Sequence, residues 1–179
     1  MFLYLAMVET PEEKSKLERL YREYRGLMYT AAYRILQDSY LAEDALHQAF
    51  LRLLRQLDKA DEAQPARTKA FLATLAQCAA LDIYRKRKRE RQIPVGEWEN
   101  VVLGHGEIFP DEGGDLALFA KLPADYAVVL RLRYAQDYSY EQIAQLLGIS
   151  EENTRKRASR GRKYLKELLK EDGRYVRKE

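Results

Sequence analysis

Between Tyr40 and Leu57 the apolar residues Leu41, Ala42, Ala45, Leu46, Ala49, Phe50, Leu53, Leu54 and Leu57 recur every three or four positions. At about 100° per residue this spacing puts them on one face of a helix, and so continuous a stripe must be buried against something. The same period governs nearly every patterned segment, and no run alternates apolar and polar residues for long enough to build a sheet. The chain is expected to be all-α.

Turn and cap residues divide this pattern. Thr10-Pro11-Glu12-Glu13 supplies an N-cap threonine, a proline at the first helical position and a capping-box glutamate, so a helix is expected from there to about Tyr24. Gly26 interrupts it, a second helix spans about Leu27 to Leu36, and Gln37-Asp38-Ser39 breaks the chain before the stripe. After a polar loop from Asp61 to Ala66 that contains Pro65, a helix from about Arg67 to Arg91 turns Phe71, Leu72, Leu75, Ala76, Ala79 and Ile83 inward. From Ile93 to about Gly114 the pattern fails, and two prolines and five glycines fall among acidic residues, the composition of a linker. Beyond it come a short helix near Asp115 and a helix opened by Leu122-Pro123-Ala124-Asp125 that reaches about Tyr134. Two small helical domains, residues 1–92 and 115–179, joined by a flexible linker over 93–114, are the expected organisation.

The second domain carries the strongest local pattern. After the break at Asp137-Tyr138, Ser139 and Gln142 form a capping box, Ala144 is small where two helices would cross, and Gly148 suits the positive φ of a helix end. Ile149 can plug the turn, and Ser150 caps the next helix. Together these features spell a helix-turn-helix. On the following helix Thr154, Ala158, Gly161, Leu165, Leu168 and Leu169 share a packing face; Lys156, Ser159, Arg160 and Lys163 lie opposite, with Arg155 to the side. Cations so placed can donate to guanine edges or phosphates in a major groove.

A second basic segment, Arg85 to Arg91, ends the long helix of the first domain with six basic residues and one acidic. One or two cations would satisfy the helix dipole; six suggest a polyanion. Phe71 and Tyr84 offer aromatic faces on the same helix, and basic groups with aromatics suit a single strand or an opened duplex. Plainer roles stand beside these: Phe71 as core, Cys78 as a small buried hydrophobe, and Asp82 as an ion-pair partner of Arg85 or Lys86.

Charge segregation explains a total that points away from nucleic acid. The chain has 31 basic and 28 acidic residues, a net +3. The segments 85–91 and 151–170 hold 14 basic and 4 acidic residues, or +10, which leaves 17 basic and 24 acidic elsewhere, or −7. Other classes fare poorly. A single cysteine and two distant histidines, His47 and His105, offer neither a disulfide framework nor a metal cluster, and no cofactor motif, Walker A, GxGxxG or triad is present. The apolar run Met1 to Val8 is too short for a membrane span and reads as an ordered tail or as an over-long start with Met7 as initiator. A soluble cytoplasmic protein without enzymatic activity is expected.

The two domains together resemble the bacterial RNA polymerase sigma factors of the small, two-domain extracytoplasmic-function type. Ala42 to Leu53 is similar to the family's region 2.2, Phe71 to Lys86 to regions 2.3 and 2.4, and Leu122-Pro123, Leu130-Arg131, Ser139 to Ala144, Gly148 to Ser150 and Arg155 to Arg162 to region 4. The resemblance implies RNA polymerase core as partner, through the β′ clamp helices and the β flap, with promoter DNA, and allows an anti-sigma factor. It places Asp44, His47, Gln48 and Phe50 in the polymerase-docking motif. Phe71, Cys78, Asp82, Arg85, Lys86, Arg87, Lys88 and Arg89 fall on the −10 surface, and Arg155, Lys156, Arg157, Ser159, Arg160 and Lys163 on the −35 surface. His47-Gln48 stands where the family usually has glutamine and an acidic residue; Phe71, Cys78 and Thr154 replace tryptophan, asparagine and valine. The competing expectation is a helix-turn-helix regulator whose first domain serves dimerisation or ligand sensing, for which the docking-like helix and the run 85–91 would have no use.

Overall fold

The computed structural model describes residues 7–90 and 121–171. The chain divides into two compact units, Met1–Arg91 and Gln92–Glu179. The expected linker and the short helix near Asp115 lie outside the described residues.

In the first unit three helices, α1 (Pro11–Leu36), α2 (Ser39–Leu54) and α3 (Pro65–Glu90), each pack against the other two. Helix α1 starts where its caps indicate: the Glu13 amide donates to the Thr10 hydroxyl at 3.2 Å, and Pro11 occupies the first turn. It then runs unbroken through Gly26, correcting the expectation of two helices. A mid-helix glycine costs about 1 kcal/mol relative to alanine. Tyr24 before it and Met28, Ala31, Ala32 and Ile35 after it continue one buried stripe. Burying a single such methionine or isoleucine returns about 1.5–3 kcal/mol, so packing outweighs propensity.

Gln37 closes α1 in the left-handed region at φ 52°, and Asp38 at once caps α2 through the Leu41 amide at 3.1 Å. Helix α2 ends at Leu54, and Leu57 lies instead in a 3-10 turn, Leu57–Lys59, which still buries it. Apolar spacing records burial, and either conformation delivers it. Pro65, assigned to a loop by sequence, opens α3, where a missing N–H costs nothing. Helix α3 is buried around its whole circumference from Phe71 to Leu81, not on one face alone. Its alanines 73, 76, 79 and 80 let neighbours approach on several sides, and the Thr74 hydroxyl is satisfied by the Ala70 carbonyl at 2.7 Å.

The second unit contains α4 (Ala124–Tyr134), α5 (Tyr140–Leu147) and α6 (Glu151–Glu171). The capping box is complete: the Gln142 amide donates to the Ser139 hydroxyl at 3.1 Å, and the Ser139 amide to the Gln142 side chain at 2.9 Å. Gly148 takes φ 60°, and the Ser150 hydroxyl accepts from the Asn153 amide at 3.2 Å. Helix α6 packs through Thr154, Ala158 and Gly161, all buried. A Cβ at Gly161 would lie 3.0 Å from both Leu130 Cδ1 and Tyr126 Cβ, so glycine sets how closely α6 meets α4. Leu165, Leu168 and Leu169 are only half-buried. At 21 residues α6 is nearly twice the length of α4, and its later turns outrun that partner.

Candidate nucleic-acid interface

Helix α6 is held by its buried face, which fixes what its other face displays. Lys156, Ser159, Arg160 and Lys163 are all exposed, as the helical wheel requires. Lys156 pairs with Glu152 at 2.7 Å, and Arg155 pairs with Glu151. Such exposed i,i+4 pairs are weak and screened by solvent, so neither carboxylate holds its cation back from a phosphate. Thr154, at the valine position of the resemblance, is fully buried, and its hydroxyl donates to the Ser150 carbonyl at 3.1 Å, so no orphan donor is left.

Arg157 does not lie on this surface. Its Nη1 is 3.3 Å from Asp125 Oδ1, with side-chain exposures of 16% and 18%, and the pair fastens α6 to α4. One residue before Ala158, it falls at the edge of the packing face, where the nearest charge is the carboxylate of α4.

Beside the exposed face lies a group that residue-by-residue spacing did not reveal. The guanidiniums of Arg133 and Arg155 each sit 5.3 Å from the centre of the Tyr140 ring, and Arg162 donates to the hydroxyls of Tyr134 at 2.9 Å and Tyr140 at 3.2 Å. Burial pushes the Tyr140 phenol up, but the hydrogen bond and charge of Arg162, with Arg133, outweigh it and the net shift is down. The cluster joins all three helices of the unit and includes Arg155, the residue expected at the side of the exposed face.

In the first unit the basic end of α3 divides into buried and exposed parts. Lys86 and Arg89 are exposed; Arg87 lies 3.8 Å from Asp38, and the Lys88 ammonium sits 5.1 Å from the Tyr84 ring centre. Arg85 turns inward instead, its side chain 10% exposed, with Nη1 2.9 Å from Asp82 Oδ1. The other Asp82 oxygen accepts from Arg52 of α2 at 2.5 Å. Asp82 therefore links two arginines within the fold. Arg52 escaped the sequence search because its partner is 30 residues away in the chain.

Phe71 and Cys78 are fully buried and offer no surface to DNA in this conformation. Burial pushes the Cys78 thiol up to about 12. Because the folded pKa lies above the unfolded value near 9, this contribution to stability is complete below pH 9 and is lost as pH rises toward 12. We expect Cys78 to resist alkylation at pH 8 in the native protein and to react within minutes once urea unfolds the first unit. Rapid native labelling would show that α3 opens locally.

On α2 the docking candidates separate likewise. Asp44 is exposed, His47 and Gln48 are half-buried, and the Gln48 amide donates to the Asp44 carboxylate at 3.2 Å. Phe50 is fully buried, its ring 4.9 Å from that of Tyr21, and belongs to the core, not to the exposed face. Among the described residues no cluster of His, Cys, Asp or Glu could hold a metal, and no helix is long and apolar enough to cross a membrane.

Comparison with known proteins meets this geometry at both units. A family model described as Sigma-70 region 2 matches residues 20–90, and one described as Sigma-70, region 4, matches residues 116–165. The ECF RNA polymerase sigma factor SigM of Bacillus subtilis is 26% identical over 156 residues, 85% of this chain and 94% of its own. A solved structure of the sigma factor RpoE from Bartonella quintana, in complex with the anti-sigma factor NepR, is 26% identical, covering 86% of this chain and 96% of that one, with a TM-score of 0.44. SigL of Mycobacterium tuberculosis is 30% identical over 169 residues, 90% of this chain and 93% of that protein. With 30% identity to SigL over 90% of the chain and both family regions in order, the chain belongs to the extracytoplasmic-function (ECF) RNA polymerase sigma factors.

Proposed function

We propose that this protein directs RNA polymerase core to specific promoters as a dissociable factor, with the work divided between its two units. The polymerase supplies the chemistry; the factor has no catalytic activity of its own and works in the cytoplasm beside it. The first unit docks on core through Asp44, His47 and Gln48 of α2, supported from beneath by Phe50. The exposed cations at the end of α3, Lys86, Arg87, Lys88 and Arg89, hold the DNA at the −10 element, while Asp82 and Arg85 brace that end against α2. The second unit reads the −35 element in the duplex through Lys156, Ser159, Arg160 and Lys163, with Arg155 at the margin.

The observation that supports this reading most is the division of α6: Thr154, Ala158 and Gly161 buried, Lys156, Ser159, Arg160 and Lys163 exposed. A helix so divided presents its N-terminal half to a major groove, as the second helix of a helix-turn-helix does. Trapping unpaired −10 bases must offset an unstacking cost of a few kcal/mol per base, and phosphate contacts supply part of it.

Reconstitution with core polymerase and a random promoter pool tests the whole reading: transcription is expected from a recoverable set of promoters. Failure of the folded protein to bind core overturns it. For the second unit, Lys156→Ala or Arg160→Ala is expected to weaken binding to −35 DNA by about ten-fold with core affinity intact. The salt slope is expected to fall by about 1 for a residue that contacts phosphate. If both variants bind DNA as the parent does, α6 presents another face.

A further inference from the structure

We propose that Tyr40 anchors this protein on core RNA polymerase by burying its ring there, so that docking is held by apolar area more than by charge; the inference rests on α2 being the docking helix. Two seams bound the outward face of that helix. On one flank Glu43 pairs with Arg25 of α1 at 3.0 Å, and on the other Arg52 pairs with Asp82 of α3 at 2.5 Å. Ala42, Ala45, Leu46, Ala49, Phe50 and Leu53 fill the buried side between the two neighbours. At about 100° per residue, the remaining arc runs from His47 through Tyr40, Leu51 and Asp44 to Gln48. Tyr40 stands within about 40° of His47, Leu51 and Asp44, on the face that carries the docking motif. From Tyr40 to Leu51 this row extends about 16 Å along the helix, or three turns.

Little on this face is charged. Asp44 is the one carboxylate in the arc, already hydrogen-bonded by Gln48 at 3.2 Å, and no lysine or arginine stands there before the cap residue Arg55. What the face offers instead is apolar area. Tyr40 is 88% exposed, the most exposed of the large apolar and aromatic side chains among the described residues, and Leu51 is half-exposed, pointing away from the core. Other exposed tyrosines have partners within the fold: Tyr33 stacks on Tyr29 with ring centres 6.0 Å apart, and the Tyr134 hydroxyl accepts from Arg162. The Tyr40 ring stays uncovered. Tyrosine is enriched among the residues that dominate interfaces, because its large, rigid ring buries much area while its hydroxyl stays at a polar rim. A contact of that kind is screened by salt far less than an exposed ion pair.

The fold does not depend on this ring. At an exposed position in the first turn, alanine is a better helix former than tyrosine, so Tyr40→Ala should keep the parental urea midpoint. The test titrates the fluorescently labelled full chain with core polymerase at low and at high salt. Tyr40→Ala is expected to lower core affinity about ten-fold at both salt concentrations, with −35 duplex binding unchanged, and Tyr40→Phe to keep most of the parental affinity. Asp44→Ala, run beside them, is expected to lose core affinity at low salt and little more at high salt. Parental core affinity in Tyr40→Ala overturns the proposal, as does a loss confined to low salt or a matching loss in Tyr40→Phe, which would assign the effect to the hydroxyl. If Asp44→Ala weakens docking and Tyr40→Ala does not, only the role of Tyr40 falls. If neither variant changes core affinity, the docking role of α2 falls and the proposal with it.

Discussion

Asp82→Ala is expected to destabilise the first unit by about 3 kcal/mol, seen as a lower urea midpoint without a change in slope. The carboxylate bridges Arg52 of α2 and Arg85 of α3, and the three side chains are 28%, 21% and 10% exposed. Without it two guanidiniums remain side by side in a partly buried site, and Arg52 Nη1 is already buried with no hydrogen-bond partner. Removing one member of a buried ion pair typically costs 3–5 kcal/mol; the residual exposure of Asp82 argues for the lower end. Against a total stability of about 5–15 kcal/mol this is a large fraction. The two roles considered for Asp82 part company here. A DNA contact predicts unchanged urea stability and weaker promoter binding, whereas the bridge predicts lost stability first, with DNA binding impaired only as α2 and α3 loosen.

Gly161→Val is expected to remove about 3 kcal/mol from the second unit, and with it −35 binding. The first added carbon would already lie 3.0 Å from Leu130 Cδ1 and from Tyr126 Cβ, and valine adds two more. Leu130 can turn its methyl aside, but Tyr126 Cβ is bound directly to the backbone of α4 and moves only with the helix. Gly161→Ala is the informative companion. Alanine recovers about 1 kcal/mol of helix propensity, which roughly offsets the strain of one close contact, so its net effect should be near zero. Hydrogen exchange of the α4 and α5 amides in the full chain distinguishes the cases. Retained protection in the valine variant would mean that α4 yields and that the contact is not limiting.

These two sites show why some of the molecule could be read from the chain and some could not. Helix type, caps and the helix-turn-helix depend on residues three or four apart, and such contacts are written directly into spacing. Thr10, Asp38, Ser139, Gly148 and Ser150 accordingly all stand at the helix ends they mark. Spacing also misled where two structures satisfy it equally. Gly26 read as a break, but the stripe on either side of it is buried strongly enough to carry the helix through. The C-terminal leucines of α6 share a face with Thr154 and Ala158, yet the shorter α4 leaves them half-exposed.

The candidate DNA surfaces divide on the same principle. Lys156, Ser159, Arg160 and Lys163 were legible because one helix wheel sets them opposite a buried stripe. Arg157 and Arg85 carry the same charge in the same runs, yet each turns toward a carboxylate, Asp125 or Asp82, that packing brings to it. Sequence alone established an all-α chain with two basic segments, because periodicity and charge are properties of near neighbours. Which arginines in those segments face solvent, which aromatic ring stays uncovered, and that Asp82 bridges Arg52 and Arg85 were decided by tertiary structure. Each depends on a partner from another helix, and the distance between helices is set by packing, which no local spacing records.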